Sequence, residues 1–159
     1  MSEYKNPAKI PMTQKILLGM VGERIVAQFL RSQGREVIES LNVFDSEKDM
    51  MVDGKPCEVK TQVPFMIEDS FALPVNQLKK VMGVHRLYFV CVPLKRPDDL
   101  AGGIFEIDLN SDHKSHHRTL AGTKEIICFP RRQPAMKKIA QINDPAILNQ
   151  LRTLSTSYL

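Results

Sequence analysis

The sequence predicts one α/β domain in which a central mixed β-sheet is flanked by helices. Its 159 residues are 43% hydrophobic and 25% charged, a balance that suits a single domain with its own core. The nearly continuous apolar run at 86–94 is typical of a strand buried on both faces. Helical and strand-like segments follow one another in the order α, β, β, β, α, β, β, β, α, α, and this order favours a mixed sheet.

The first segment is a predicted helix that runs from a cap at Thr13 to about Gln33 and ends at Gly34. Its apolar stripe recurs at helical spacing and comprises Ile16, Leu17, Met20, Val21, Ile25, Phe29 and Leu30. Gly19 and Gly22 interrupt the helix, and each costs about 1 kcal/mol relative to alanine. We therefore expect the glycines to allow a close approach of the helix to a strand or a ligand.

The remaining elements follow from apolar runs and turn residues. Strands are predicted at 35–44, 49–52, 56–63, 86–94, 103–109 and 124–130. Helices are predicted at about 74–83, 134–142 and 145–155. Pro74 lies near the first turn of its helix, and the last helix has Asn143 or Asp144 as cap and Pro145 at its first position. The polar stretch 112–123 is predicted to be a loop.

Composition also restricts the location of the protein. The N-terminus has no apolar segment typical of a signal peptide, and no apolar run approaches the ~20 residues of a membrane span. Cys57, Cys91 and Cys128 each lie in an apolar or strand-like run without metal-ligand spacing. These features predict buried thiols in a reducing compartment, and thus a cytoplasmic protein with no membrane partner.

Positive charge is concentrated towards the C-terminus. The chain has a net charge of +4, and residues 113–159 hold eight basic residues against two acidic ones. This asymmetry indicates a polyanionic partner, most simply nucleic acid, although a solvated basic face would give the same composition. The candidate phosphate-binding residues flank a turn into a predicted helix and are Arg131, Arg132, Lys137 and Lys138.

A second polar feature is the histidine-rich run HKSHH at 113–117. Zinc is disfavoured there because no cysteine is near and structural zinc sites usually draw ligands from two segments. We interpret the run as a loop that contacts phosphate or is solvated.

The most informative stretch is KDMMVDGKPCEVKTQ at 48–62. Asp-Gly at 53–54 between apolar runs predicts a two-residue hairpin turn. The resulting register places Asp49 directly opposite Glu58, and alternation along the strand puts Lys60 and Gln62 on the face of Glu58. The opposite face is predicted to be core and holds Met50, Val52, Cys57, Val59, Thr61 and Val63.

Two facing carboxylates repel each other unless a cation or a proton lies between them. Lys60 balances them only in part, whereas oxygen ligands suit Mg²⁺ or Mn²⁺. A hard cation there could activate water and polarise a phosphodiester, while the lysine orients the water or neutralises charge. Two alternatives remain: a bulge at Pro56 or a one-residue slip would turn Glu58 to the other face, and the charges could simply be solvated.

Asp49 followed by Glu58-Val59-Lys60 resembles the core motif of the PD-(D/E)XK nuclease superfamily, with Lys48 in place of the motif's proline. The resemblance covers roughly residues 13 to 94 as helix, hairpin, helix and strand. It implies a restriction-endonuclease-like fold, Asp49 and Glu58 as metal ligands and Lys60 as a catalytic residue. It further implies an auxiliary metal role for Glu23 on the first helix.

The same resemblance adds two glutamines. Gln62 matches a Glu-X-Lys-X-Gln variant of the motif, which makes it a further catalytic candidate. Gln77 on the following helix is a weaker candidate, and we prefer to interpret it as a helix-surface amide.

Together these observations predict a Mg²⁺- or Mn²⁺-dependent endonuclease that acts on DNA, with DNA rather than RNA taken from the resemblance. A homodimer would be expected if the substrate were cut on both strands. The alternatives are a catalytically inactive module of the same fold that binds nucleic acid or partner proteins, and a structural protein unrelated to nucleases. The whole chain is predicted to be one nuclease domain with a basic C-terminal extension at about 113–159.

Overall fold

The computed structural model describes residues 12–39, 50–62, 70–92, 102–120, 122 and 124–155. In chain order its elements are α1 (Met12–Ser32), β1 (Val37–Glu39), β2 (Met50–Val52), β3 (Lys55–Gln62), β4 (Ser70–Pro74), α2 (Val75–Met82), β5 (Arg86–Cys91), β6 (Gly103–Ile107), β7 (His116–Leu120), β8 (Lys124–Pro130), β9 (Met136–Gln141) and α3 (Pro145–Ser155). None of the helices in these ranges combines the length and apolar composition needed to cross a membrane.

The strands form two sheets. The larger sheet has six strands in the order β1-β2-β3-β5-β6-β9 and is mixed, because β3 and β5 pair in parallel while the other neighbours are antiparallel. The smaller sheet is antiparallel, with three strands in the order β4-β8-β7. The predicted mixed α/β class with a central sheet flanked by helices is confirmed.

Two apolar clusters hold these layers together. One lies between the large sheet and helices α1 and α3, and it contains Val26, Leu30, Val59, Val90 and Leu151. The other lies between the large sheet, the small sheet and α2, where the rings of Phe71 and Phe89 stack with centroids 4.5 Å apart. The large sheet is therefore covered on both faces, which explains why β5 is almost entirely buried.

Sequence patterns located most of these elements correctly. The first and last helices, the hairpin, α2, β5, β6 and β8 lie where they were predicted, and Gly34 ends α1 with a positive φ of 80°. The helix begins at Met12, so Thr13 lies inside it rather than before it. Asp144 Oδ1 accepts the backbone N–H of Ala146 at 2.9 Å, which identifies Asp144 as the cap of α3.

Two predictions in the C-terminal third are wrong, and one strand was missed. Residues 134–142 are predicted to be helical, but they contain strand β9. The pairing of β9 with β6 shifts by one residue and leaves Ile139 as an extra residue. Because of this bulge, the apolar residues of the segment have a spacing that resembles that of a helix. The predicted loop 112–123 contains β7, an almost fully exposed edge strand that shows no apolar alternation. The short strand β4 was not predicted at all.

The two glycines of α1 behave differently. A Cβ added to Gly22 would lie 1.7 Å from Thr61 Oγ1 and 3.0 Å from Thr61 Cβ, so only glycine permits α1 to lie this close to β3. A Cβ added to Gly19 would meet nothing within 4 Å. The expected close approach is thus confirmed at Gly22 and wrong at Gly19.

This difference predicts opposite effects of two identical substitutions. Gly22→Ala should lower the free energy of unfolding by about 1–3 kcal/mol, because the new methyl group overpacks the α1–β3 contact. Gly19→Ala should raise it by up to about 1 kcal/mol, because alanine favours the helix and fits the open space. Urea unfolding curves measure both changes, and equal shifts of the two midpoints would contradict the assigned packing.

Candidate active site

The hairpin has the register that the sequence predicts. Its three described pairs are Met50 with Cys57, Met51 with Pro56 and Val52 with Lys55. The turn residues Asp53 and Gly54 have φ values of 51° and 78°, as a type I′ turn requires. Asp49 lies outside the described residues, so its position opposite Glu58 stays a prediction.

The described hairpin pairs show neither a bulge at Pro56 nor a one-residue slip. Pro56 lies in regular register opposite Met51, without a bulge, and its carbonyl accepts the backbone N–H of His85 at 2.7 Å.

The acidic turn residue Asp53 has a structural role, because its carboxylate accepts hydrogen bonds from Arg35 Nε and from the backbone N–H of Glu36. The bond from Arg35 is the main cause of the lowered pKa of Asp53.

Strand alternation divides the side chains of β3 as expected. Met50, Val52, Cys57 and Val59 belong to the cluster beneath α1. Burial of the Cys57 thiol raises its pKa to about 11, so it remains a protonated core residue. Glu58, Lys60 and Gln62 therefore project from the other face, towards β4 and α2, where Glu58 and Lys60 pair with Leu87 and Phe89 of β5.

Glu58 is the centre of the candidate site. It is only 1% exposed, although it carries a carboxylate and lies on an inner strand of the large sheet. Its Oε1 atom lies 3.3 Å from the Nζ atom of Lys60, whose side chain is 21% exposed. Burying a carboxylate costs several kcal/mol unless cations compensate it, so the ammonium is part of what keeps Glu58 in place.

Lys60 is held from a second side by α2. Its Nζ atom donates a hydrogen bond of 2.9 Å to Oε1 of Gln77. The ammonium is thus fixed between a buried carboxylate and a neutral amide. The interpretation of Gln77 as a helix-surface amide is wrong, because this side chain is half-buried and contacts the candidate catalytic lysine.

Gln62 has a different environment from the one that its place in the motif suggests. Its Nε2 donates to the carbonyl of Ala72 at 2.9 Å, and its Oε1 accepts the backbone N–H of Ala72 at 2.7 Å. The side-chain amide therefore replaces a neighbouring strand at the edge of β4. These two bonds connect the large sheet to the small one, and a catalytic role for Gln62 stays a prediction.

Glu23 lies on α1, one residue after the glycine that touches Thr61 of β3, and it is half-buried. Helix α1 covers the face of β3 opposite to that of Glu58, since Val59 and Thr61 face the helix. The auxiliary metal role of Glu23 stays a prediction.

The candidate phosphate-binding residues lie on or next to β9, an edge strand of the large sheet that is three strands away from β3. Arg131 and Arg132 occupy the turn between β8 and β9, and Lys137 and Lys138 are exposed on β9, an edge strand rather than the predicted helix. One row of paired residues crosses the sheet from β9 to β3 and consists of Met136, Ile107, Leu87 and Glu58. Three strand spacings therefore separate the start of β9 from Glu58, which is about 14 Å.

The described residues include one of the two predicted main metal ligands, Glu58. In the residues with described positions, no group of three or more His, Cys, Asp or Glu side chains could hold a metal ion. Glu58 supplies one buried carboxylate, the ligand type that Mg²⁺ and Mn²⁺ prefer, and the second predicted ligand is Asp49. The donor type fits a hard divalent cation, and Asp49 would complete the pair.

The histidine-rich run does not form a metal site of its own. His116 and His117 are successive exposed residues of β7, so their side chains point to opposite faces of the strand. His113 is placed by a 2.9 Å contact between its Nδ1 and the carbonyl of Ser111.

Comparison of the chain with protein-family models, with curated protein sequences and with solved structures finds no match.

The position of Gln62 predicts a loss of stability on substitution. Gln62→Leu should lower the free energy of unfolding by about 1–3 kcal/mol, because both polar backbone groups of Ala72 lose their partner. Gln28→Leu makes the same substitution at an exposed amide on α1 and should cost less. Denaturant unfolding of the two variants gives this order, and a Gln62→Leu variant as stable as wild type would show that the link between the sheets contributes nothing.

Proposed function

We propose that the protein is a Mg²⁺- or Mn²⁺-dependent endonuclease that hydrolyses DNA phosphodiester bonds. One observation carries the proposal: Glu58 is 1% exposed on an inner strand, with Lys60 at 3.3 Å on the same face. A strand that only needed to be buried would carry an apolar residue there, since a buried ion pair seldom stabilises more than an apolar pair of similar volume. Such an arrangement is therefore expected where chemistry requires it.

The connectivity around Glu58 supports the proposal. Helix α1, the strands β1 to β3, helix α2 and strand β5 follow one another in the order implied by the resemblance to the PD-(D/E)XK nucleases. Strands β3 and β5 are parallel neighbours, so α2 lies in the connection between them, and β4 is an addition to that connection.

The roles of the residues follow from their positions. A divalent cation, when bound by Glu58 and Asp49, would lower the pKa of a bound water and neutralise charge on the phosphate. Lys60 could donate hydrogen bonds to the attacking water or to a phosphate oxygen, since an ammonium has three hydrogens and its side chain is 21% exposed. Gln77 holds Nζ in that orientation, so a substrate meets a lysine that is already placed.

The basic residues favour structure-selective rather than sequence-selective cleavage. Arg131, Arg132, Lys137 and Lys138 lie in a turn and on an edge strand. Contacts from such positions to phosphates fix the location of the protein on DNA but carry no base information.

The alternative is a catalytically inactive module that binds nucleic acid. The Glu58–Lys60 pair also favours this function, because an ammonium at 3.3 Å already offsets part of the buried carboxylate's charge without a metal. The two functions predict different results for DNA cleavage. A nuclease loses cleavage when the Glu58 carboxylate is removed, whereas an inactive module cleaves no DNA with or without it.

Glu58→Gln preserves the shape of the side chain and removes its charge. We expect DNA cleavage in Mg²⁺ or Mn²⁺ to fall at least ~100-fold, the usual scale for the loss of one catalytic group. Glu36→Gln removes an exposed carboxylate from the same half of the chain and should cleave at the wild-type rate. A Glu58→Gln variant that cuts as fast as wild type would rule out the assigned role.

Gln77→Leu tests the placement of Lys60. The rate of cleavage at saturating DNA should fall about 10-fold or more, as is typical when a residue that orients an active-site group is lost, while DNA affinity stays the same. Asn76→Ala changes an exposed amide one residue away on α2 and serves as the control. Equal cleavage rates for Gln77→Leu and Asn76→Ala would contradict the positioning role.

A further inference from the structure

Gln133 is a buried amide in the turn between β8 and β9, and its exposed fraction is 7%. Its Oε1 accepts the backbone N–H of Lys114 at 2.6 Å. Its Nε2 donates to the carbonyls of Lys114 at 2.9 Å and Pro130 at 2.8 Å. The two bonds to Lys114 thus join loops that lie 19 residues apart in the sequence, and the bond to Pro130 fixes the amide within its own turn.

The hydrogen bonds of Gln133 join the two backbone segments that carry three cationic residues. Lys114 is exposed on one loop, while Arg131 and Arg132 directly precede Gln133 on the other. The acidic residues of the same loops are Asp112, which is exposed, and Asp108, whose carboxylate lies 3.1 Å from Arg86 and is offset by it. The result is a basic surface with a fixed backbone, which we name the clamp surface (Lys114, Arg131 and Arg132).

A fixed backbone matters for binding. Cations on loose loops lose conformational freedom when they contact phosphates, whereas cations on a pinned backbone lose less. Arginine in addition suits phosphate because its guanidinium can donate two parallel hydrogen bonds.

The clamp surface also has a defined relation to Glu58. The backbone N–H of Met136 donates to the carbonyl of Gln133 at 3.1 Å, and Met136 begins the row of residues that ends at Glu58. Met136 lies about 14 Å from Glu58 across the sheet, which corresponds to roughly four base pairs of duplex rise. The clamp surface lies just beyond Met136, so a short duplex is long enough to reach from it to Glu58.

We propose that the clamp surface binds the phosphate backbone of the DNA whose cleavage is assigned to Glu58, and that Gln133 is its positioning residue. The inference rests on the proposed nuclease function for the identity of the DNA as substrate. The contact is with phosphates and is independent of base sequence.

The test measures binding without cleavage. Fluorescence anisotropy of a labelled DNA duplex in EDTA, over a range of salt concentrations, gives the dependence of affinity on salt. Lys114→Gln and Arg132→Gln should each make the slope of log K against log[salt] less steep by about 1, because each removes one phosphate contact. Lys15→Gln removes an exposed charge from α1 and should leave the slope unchanged.

Gln133→Met separates positioning from charge. It leaves every cation in place, and we expect affinity to fall about 10-fold at low salt, a loss of ~1.4 kcal/mol of binding free energy. Gln14→Met makes the same substitution at an amide that donates to the carbonyl of Thr153, away from the clamp surface, and at a temperature where both variants are folded it should bind as wild type does. Equal binding by these two variants would show that Gln133 is merely structural and overturn its role.

The outcomes distinguish this inference from the nuclease function. If the slopes change as expected but wild type cleaves no DNA, the clamp surface stands and the nuclease proposal fails. If wild type cleaves but Lys114→Gln and Arg132→Gln have the slope of Lys15→Gln, the clamp surface is overturned and the nuclease proposal stands. Absence of DNA binding by wild type overturns the clamp surface.

Discussion

The burial of one carboxylate determines how the candidate site is built. Glu58 lies at 1% exposure on an inner strand, and Lys60 is the cation that lies 3.3 Å away on the same face. A buried charge of this kind is tolerated only where compensation is fixed in place. Helix α2 supplies part of that fixing through Gln77, and β4 is tied to the same strand through Gln62. Helix α2 therefore holds Lys60 beside Glu58, while the small sheet is bonded to the strand that carries both residues.

The opposite face of β3 makes this arrangement possible. Gly22 lets α1 lie directly against Thr61, and the apolar cluster beneath the helix holds β3 in register. The type I′ turn at Asp53 and Gly54 fixes the same register from the end of the hairpin. Because a slip of one residue would exchange the two faces, core packing and turn geometry together decide that Glu58 lies on the site face.

Sequence reasoning predicted the hairpin register, the core face of β3 and most elements, because local turn chemistry and apolar alternation specify them. It did not predict what depends on distant contacts. The partner of Gln62 is β4, which was missed, and the partner of Gln133 is a loop 19 residues away. Strand β9 was mistaken for a helix because a bulge shifts its apolar pattern. Strand β7 has no apolar face to detect. The pairing of Asp49 with Glu58 stays a prediction.

Titration calorimetry with Mn²⁺ tests the central claim most directly, because it detects a dication between two carboxylates whether or not DNA is cut. One Mn²⁺ should bind to each wild-type chain. Asp49→Asn and Glu58→Gln should each abolish or strongly weaken binding, since a single remaining carboxylate holds a hard cation poorly. Glu36→Gln should bind as wild type does. Wild-type protein that binds no Mn²⁺, or a Glu58→Gln variant that binds it unchanged, would contradict the account.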